Sequence, residues 1–388
     1  MCTALTKKLD LKPKKILIVG PAWPLRGGLA TYNERLCREF ISQGFECEIQ
    51  SFSLQYPNFL FPGKTQYSDD PKPIDIVIHA TLNSINPINW FKTANRIKKA
   101  GYDLVIFRYW MSFMAPAFGT LARIIKTPNN KIIAITDNVF SHERKPFEKT
   151  LAQYFLNSCD GFLSMSKDVL GQVQQLQANK PSLYVPHPMY DMFGPVIEKA
   201  EAIQKLRLDP QFKYCLFFGF IRKYKGLHLL LESFAKLDRH ALKLKLIVAG
   251  EFYEDANPYH QQIQDLDLKD DVILKSDFIP NNQVGLYFCA SDIVVQTYIT
   301  ATQSGVTQIA YFYNTPMLVT NVGGLAELVP NNVVGMVCEK NSDEISKKIE
   351  QFFQNNSETQ MKLAIEKEKQ KFTWPYLCSS LLQIAAKN

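Results

Sequence analysis

Residues 217–234, FFGFIRKYKGLHLLLESF, place three cations between two apolar segments. The run at 215–218 is typical of a strand buried on both faces, and residues 227–234 have the spacing of an amphipathic helix. One arginine and two lysines lie between them, flanked by glycines. A strand, short turn and helix of this kind predict a parallel sheet, whose ligands bind at the carboxyl ends of the strands.

The same alternation of strand and helix runs through most of the chain. Strands are predicted at 15–20, 45–52, 74–80, 103–109, 131–137, 161–166 and 182–186, and then at 214–220, 243–250, 272–279, 292–298, 316–320 and 335–338. Two successive series predict an α/β protein with two doubly wound parallel-sheet domains and a ligand cleft between them. The sequence Pro-His-Pro at 186–188 divides the chain into domains 1–187 and 188–374, and residues 51–72 are predicted as one long loop.

Composition narrows the class of protein. The chain has 388 residues, is 46% hydrophobic and carries a net charge of +7, which suits a globular protein with an anionic partner. No apolar run is long enough to span a bilayer, and the first residues lack the apolar segment of a signal peptide. The eight cysteines form no C-x-x-C pair, which predicts reduced thiols, a cytoplasmic protein and no metal site.

Three glycine-containing turns precede predicted helices. They are Gly27-Gly28, Gly219 with the cations that follow it, and Ser304-Gly305. Backbone amides at a helix N-terminus bind anions, although a pair of glycines such as Gly27-Gly28 also occurs where only a tight turn is needed. A fourth turn, Gly323-Gly324, leads to the carboxylate of Glu327.

Four motifs in this order and spacing resemble the retaining GT-B glycosyltransferases of family four, the glycogen-synthase-like type. They are RGGLATY at 26–32, GFIRKYKG at 219–226, ATQSG at 301–305 and VGGLAE at 322–327. The resemblance covers nearly the whole chain and includes Pro-His-Pro at 186–188 and Thr-Trp-Pro at 373–375. It implies two Rossmann-like domains facing each other across a cleft, with the C-terminal helix, 375–388, packed back on the N-terminal domain.

The resemblance also implies a function for the opening motif. Arg222 and Lys225 match the positions that hold the diphosphate of a nucleotide-sugar donor, and both are expected to line a solvent-accessible cleft. Fixed cations there would stabilise the charge that grows on the departing diphosphate. Donor contacts are expected from a wider set that shares the strand ends of the C-terminal domain or the first glycine turn: Gly27, Gly28, Gly219, Glu251, Gln303, Ser304, Gly305, Gln308 and Glu327. No metal and no cofactor is expected.

The N-terminal domain is expected to bind the acceptor, a glycan or lipid-linked saccharide. Asp137 and Asn138 follow a predicted strand, and Asp137 stands where relatives commonly have a histidine. His142 is the nearest imidazole and is a further candidate for the site, although a single loop histidine is more often structural.

A second departure concerns two glutamates that relatives carry eight residues apart. Their partners here are Thr300 and Gln308, or Ala301 and Ile309, depending on the alignment, and neither pair has a carboxylate. Gln308 is expected to bond ribose hydroxyls, because an amide both donates and accepts. The contact with the donor sugar would then be made by Gln303 or by backbone amides near Ser304.

The segment 92–131 is basic and rich in apolar residues. It holds Lys92, Arg96, Lys98, Lys99, Arg108, Arg123, Lys126 and Lys131 against one acid, Asp103. One interpretation is a peripheral face for an anionic membrane, which would carry a lipid-linked acceptor. The other is ordinary packing of helices on the sheet with a solvated basic rim.

The resemblance thus implies a metal-independent, retaining glycosyltransferase of bacterial cell-surface polysaccharide synthesis. Two alternatives stay open: an inactive sugar-nucleotide-binding partner protein, and a nucleotide-sugar epimerase of the same fold, for which Glu251, Asp277 and Glu327 would be acid–base candidates. A dehydrogenase is disfavoured because G-x-G-x-x-G is missing. Nucleic-acid binding is disfavoured because the basic residues form no modular pattern.

Overall fold

The computed structural model describes residues 14–57, 66–68, 71–140, 147–301 and 304–387. The chain divides into two compact units. The first runs up to His187 and resumes at Trp374, and the second is Pro188–Thr373. The division falls inside the Pro-His-Pro segment.

The first unit is built on a seven-stranded sheet in the order β3-β2-β1-β4-β5-β6-β7, in which every neighbouring pair is parallel. Its strands are β1 (Lys15–Val19), β2 (Glu46–Leu54), β3 (Val77–Asn83), β4 (Leu104–Tyr109), β5 (Lys131–Thr136), β6 (Gly161–Ser164) and β7 (Ser182–Tyr184). Its helices are α1 (Gly28–Ser42), α2 (Pro87–Ala100), α3 (Ala115–Ile125), α4 (Glu148–Leu156) and α5 (Lys167–Leu176).

The second unit contains a six-stranded parallel sheet in the order β10-β9-β8-β11-β12-β13. Its strands are β8 (Lys213–Phe218), β9 (Leu244–Ala249), β10 (Val272–Lys275), β11 (Ile293–Gln296), β12 (Met317–Thr320) and β13 (Gly335–Cys338). Its helices are α6 (Lys199–Lys205), α7 (Leu227–Ala235), α8 (Arg239–Leu242), α9 (Asn257–Asp265), α10 (Asn281–Ala290), α11 (Gly305–Phe312), α12 (Ser342–Gln354) and α13 (Glu358–Glu368).

Both sheets are covered by apolar side chains on both faces, as parallel sheets require. In β8, Cys215 and Phe217 pack into one core cluster, whereas Tyr214 and Leu216 pack into another. This alternation explains why the strand is a continuous apolar run instead of an alternating one. The prediction of two Rossmann-like parallel sheets is confirmed.

The last helix, α14 (Trp374–Ala386), packs on the first sheet, although it follows the second unit in sequence. Trp374, Leu377 and Leu381 are buried in the same core cluster as Tyr32 of α1. The rings of Trp374 and Tyr32 lie 4.9 Å apart between centroids. The expected return of the C-terminal helix to the first domain is therefore present.

One sequence prediction about the first unit is wrong. Residues 51–72 do not form one long loop, because β2 continues to Leu54 and pairs with β3 as far as Asn83. Phe52 is fully buried, so the residues at the start of this segment belong to the core of the sheet.

Candidate active site

Two close glycine contacts shape the carboxyl end of β8. Gly219 and Gly250 follow β8 and β9 with φ of 95° and 150°. A Cβ on Gly250 would lie 2.3 Å from the carbonyl oxygen of Gly219, so the two backbones approach as only glycine permits. The amide of Ile221 then donates to the Glu251 carbonyl at 2.8 Å, which extends the pairing beyond the sheet.

The cationic turn is held in place by the segment that follows β11. Lys223–Lys225 form a single 3-10 turn that ends at Gly226, with φ of 72°. A Cβ on Gly226 would lie 2.0 Å from the carbonyl oxygen of Thr297, whose hydroxyl donates to the Gly226 carbonyl at 2.8 Å. The turn that sequence predicts is thus a fixed structure at the start of α7.

Lys225 is the unusual group of this turn. It is only 9% exposed, and its ammonium forms no hydrogen bond or ion pair with any residue of the described chain. Its Nζ lies 5.7 Å from the centroid of the Tyr298 ring. Burial, and then the nearby Arg222 cation, lower the pKa of Lys225 to about 8. A buried ammonium that lacks a carboxylate is costly unless an anion joins it.

Arg222 differs from Lys225 in its surroundings. Its side chain is exposed, and its guanidinium carbon lies 4.9 Å from the centroid of the Tyr253 ring. The expectation that both cations line a solvent-accessible cleft is therefore wrong for Lys225. The Lys225 side chain is buried with its Nζ near the Tyr298 ring, whereas Arg222 remains on the surface.

The helix α11 places three of the predicted donor contacts. Ser304 is buried and shares a hydrogen bond of 3.1 Å with the Tyr298 hydroxyl, and Gly305 is the first residue of the helix. Gln308 is 2% exposed, and neither atom of its amide has a hydrogen-bond partner in the described chain. Gln303 lies outside the described residues. A ribose contact by Gln308 stays a prediction, and in this structure the amide is enclosed.

The remaining predicted donor contacts lie at strand or helix ends. Glu251 follows β9 and is half-buried, and Glu327 is exposed in a 3-10 turn after β12. In the first unit, Gly27 has φ of 109° and Gly28 begins α1. A Cβ added to either glycine would meet no atom within 4 Å, so close packing does not explain them.

The predicted acceptor residues lie at the carboxyl end of β5. Asp137 accepts two hydrogen bonds of 2.6 Å from the guanidinium of Arg108. Arg108 lies near the end of β4 and is 2% exposed. Asn138 is exposed, and His142 lies outside the described residues. Burial raises the pKa of Asp137 and Arg108 opposes that rise; the paired geometry favours the carboxylate.

Arg108 was not predicted from sequence as part of a site. A signal was available, since Arg108 and Asp137 come at the ends of neighbouring strands. The guanidinium carbon also lies 3.9 Å from the centroid of the Tyr32 ring. Its third nitrogen, Nη1, is buried without a partner among the described residues, as is the Oδ1 of Asn33.

The basic segment 92–131 is not one surface. Arg108 is buried against Asp137, Lys126 pairs with Asp160, and Arg123 donates to backbone carbonyls of α3 and α4. The apolar members Ile97, Met114 and Phe118 are in the core. The prediction of a continuous basic and aromatic face is therefore wrong in this central part.

What remains is a smaller surface on α2. Lys92, Lys98 and Lys99 are exposed, next to Ile88 at 69% and Phe91 at 53% exposure. We call these five residues the α2 surface. Within the residues that the structure covers, no helix has the length and apolar character to cross a bilayer, and no cluster of three His, Cys, Asp or Glu side chains is arranged to hold a metal.

The second unit is similar in sequence to known glycosyltransferases. Residues 198–370 match the family model described as Glycosyl transferases group 1. The Bacillus subtilis (strain 168) protein YtcC, provisionally named a glycosyltransferase, is 29% identical over 157 residues, which make up 39% of this chain and 38% of that protein. The uncharacterized glycosyltransferase MJ1607 of Methanocaldococcus jannaschii is 23% identical over 358 residues, 86% of this chain and 87% of that protein.

Solved structures share the fold of this chain. Anabaena Alr3699/HepE, solved in complex with UDP, superposes with a TM-score of 0.68 at 16% identity, over 95% of this chain and 98% of HepE. At this identity the likeness establishes the fold. Residues 198–370 are similar to the glycosyl transferases group 1 family, and the two parallel sheets of the chain have the fold of the two Rossmann-like domains of GT-B proteins.

Proposed function

We propose that the protein is a retaining glycosyltransferase that moves a sugar from a nucleotide-diphosphate donor to a glycan or lipid-linked saccharide. The observation that carries this proposal is Lys225, a buried ammonium without a carboxylate partner at the carboxyl end of β8. Diphosphate is the anion that a glycosyl transferases group 1 domain would place there. Support comes from HepE, which has the same fold and was solved with UDP and with UDP-glucose.

The reaction breaks the bond between the anomeric carbon and a diphosphate oxygen. Negative charge then grows on the leaving diphosphate, and Lys225 stabilises it more strongly than in bulk water because the ammonium is partly desolvated. The acceptor hydroxyl forms the new bond to the anomeric carbon. Its proton passes to the departing phosphate oxygen, so the charges balance without a metal ion as an obligatory participant.

The acceptor belongs to the first unit in this proposal. The carboxylate of Asp137 is engaged by two hydrogen bonds from Arg108, which makes it a weak general base. It is better suited to accept a hydrogen bond from a sugar hydroxyl through a remaining lone pair. Proton removal by the leaving phosphate on the same face of the sugar, with retention of configuration, follows from this assignment.

We also propose that the α2 surface brings the enzyme to an anionic membrane on the cytoplasmic side. Ile88 and Phe91 are apolar side chains exposed beside Lys92, Lys98 and Lys99. Apolar side chains beside lysines bind anionic interfaces through combined burial and charge attraction. Such a position suits an acceptor that is lipid-linked, as in synthesis of a cell-surface polysaccharide.

The test is release of nucleoside diphosphate from a panel of nucleotide sugars, with UDP-glucose included. Slow donor hydrolysis that depends on Lys225 is expected even without an acceptor. Binding of nucleotide sugars without any release or transfer would favour the inactive partner protein, for which the missing glutamates at 300–309 are the specific observation. Conversion of the donor to its epimer would favour the epimerase and overturn the proposal.

A further inference from the structure

Exposed aromatic rings of the second unit are confined to one edge of its sheet. Among the described residues of this unit, the exposed large aromatic side chains are Phe220, Tyr224, Tyr253 and Phe278. Phe220 and Tyr224 follow β8, Tyr253 follows β9 and Phe278 follows β10, so all four lie at carboxyl ends of three adjacent strands. The four rings therefore lie at the edge where parallel sheets bind their ligands.

Two of these rings form a platform. Phe220 and Tyr253 are stacked with centroids 4.2 Å apart and planes inclined by 27°, yet they remain 40% and 49% exposed. The backbone fixes this pair, because the amide of Tyr253 donates to the Ile221 carbonyl at 3.0 Å. Two large rings held rigidly and half in water offer a flat apolar face at little entropic cost to a ligand.

The platform adjoins the cationic turn. Arg222 lies 4.9 Å from the Tyr253 ring, and Lys225 lies beneath Gly219, so close that a Cβ on that glycine would be 2.8 Å from its Nζ. One edge therefore combines an enclosed cation for phosphate with a stacked aromatic face. A nucleotide is the ligand class that carries both complementary groups, an anionic phosphate and a planar base.

We propose that the Phe220–Tyr253 platform stacks on the nucleobase of the donor, while Lys225 holds its diphosphate. The inference rests on the proposed function and adds the base-binding side chains, which neither the sequence motifs nor the family assignment identifies. Stacking on a π-face tolerates any base, so the platform sets affinity for nucleotides over inorganic phosphate more than it selects one base. Arg222 joins the stack through its position over Tyr253 and adds attraction for the phosphates.

The experiment is calorimetric titration of the full chain with UDP, GDP, ADP and inorganic pyrophosphate. Phe220→Ala and Tyr253→Ala are each expected to weaken binding of the nucleoside diphosphates by about 5- to 150-fold. Pyrophosphate affinity should stay unchanged, because that ligand lacks a base. Phe220→Leu keeps an apolar side chain and should still lose most of the affinity if stacking is the interaction.

A matched control is Leu363→Ala, which removes another exposed apolar side chain of the second unit, 65% exposed on α13, and should change no affinity. Unchanged UDP, GDP and ADP binding in the Phe220 and Tyr253 variants would overturn the platform while leaving the diphosphate site intact. Equal losses for pyrophosphate and the nucleotides would also overturn it. A wild-type protein that binds none of the four ligands would refute the donor site itself.

Discussion

Replacement of Lys225 by methionine should stabilise the protein and weaken nucleotide binding at the same time. The lysine is 9% exposed and has no carboxylate partner among the described residues, so its charge opposes folding of the ligand-free protein. Methionine retains an unbranched side chain that fills similar space without the charge. A variant that is more stable but binds nucleotide less tightly indicates that the original side chain serves ligand binding at a cost in folding stability.

The magnitude follows from the titration of the lysine. Its pKa falls from the usual 10.5 to about 8 on folding, which corresponds to about 3 kcal/mol in favour of the neutral amine. At pH 7 the lysine is charged in both states, so the Lys225→Met variant should gain up to about 3 kcal/mol, or about 6–12 °C in melting temperature. Wild-type stability should rise between pH 8 and 10.5, because the unfolded state binds more protons than the folded state in this range. The difference in stability between the wild type and the Lys225→Met variant should disappear above pH 10.5.

Binding should change in the opposite direction. Loss of a charge-assisted contact of about 1.5–3 kcal/mol reduces UDP affinity by about 10- to 150-fold. Titration calorimetry measures the affinity, and differential scanning calorimetry from pH 7 to 10.5 measures the stability. The matched control is Lys223→Met in the same turn, where the lysine is exposed and neither quantity should change. A Lys225→Met variant that is less stable and binds UDP normally would refute the reasoning, because Lys225 would then be structural.

Three further perturbations test the surrounding fold and surfaces. Gly226→Ala should lower the free energy of unfolding by roughly 2 kcal/mol or more in chemical denaturation, because φ is 72° and the new Cβ would lie 2.0 Å from a carbonyl oxygen. The control is Gly171→Ala in α5, where a new Cβ would meet no atom within 4 Å, and this change should be neutral or slightly stabilising. Leu381→Ala should cost about 2–5 kcal/mol, since this fully buried side chain of α14 packs in the core of the first unit; a loss under 1 kcal/mol would contradict that packing. The double variant Lys92→Glu, Lys99→Glu should co-sediment less with anionic vesicles at low salt, and unchanged sedimentation would remove the α2 surface from the account.

The strands could be predicted because each carries its own signal. Buried parallel strands are continuous apolar runs, and α12 carries an equally local signal, because Asn341 caps it and its apolar residues recur with helical spacing. The predicted ends of strands are wrong where an apolar run continues beyond the last residue of the strand. The predicted strand 272–279 is four residues too long, because β10 ends at Lys275.

The environment of the site residues could not be predicted in the same way. Lys225 is a polar residue in a turn, and its burial involves Tyr298, some seventy residues later in the chain. Arg108 resembles the surface cations near it until β4 and β5 pair and bring it to Asp137. The Phe220–Tyr253 stack likewise requires two strand ends to meet. Local sequence patterns predict helices and strands, whereas the burial and pairing of side chains depend on contacts between residues distant in sequence.

The most direct test of the central claim is a crystal structure of the protein with bound UDP. We expect diphosphate oxygens at hydrogen-bond distance, about 3 Å, from the Nζ of Lys225 at the carboxyl end of β8. UDP bound elsewhere, or bound with its diphosphate away from Lys225, would contradict the account.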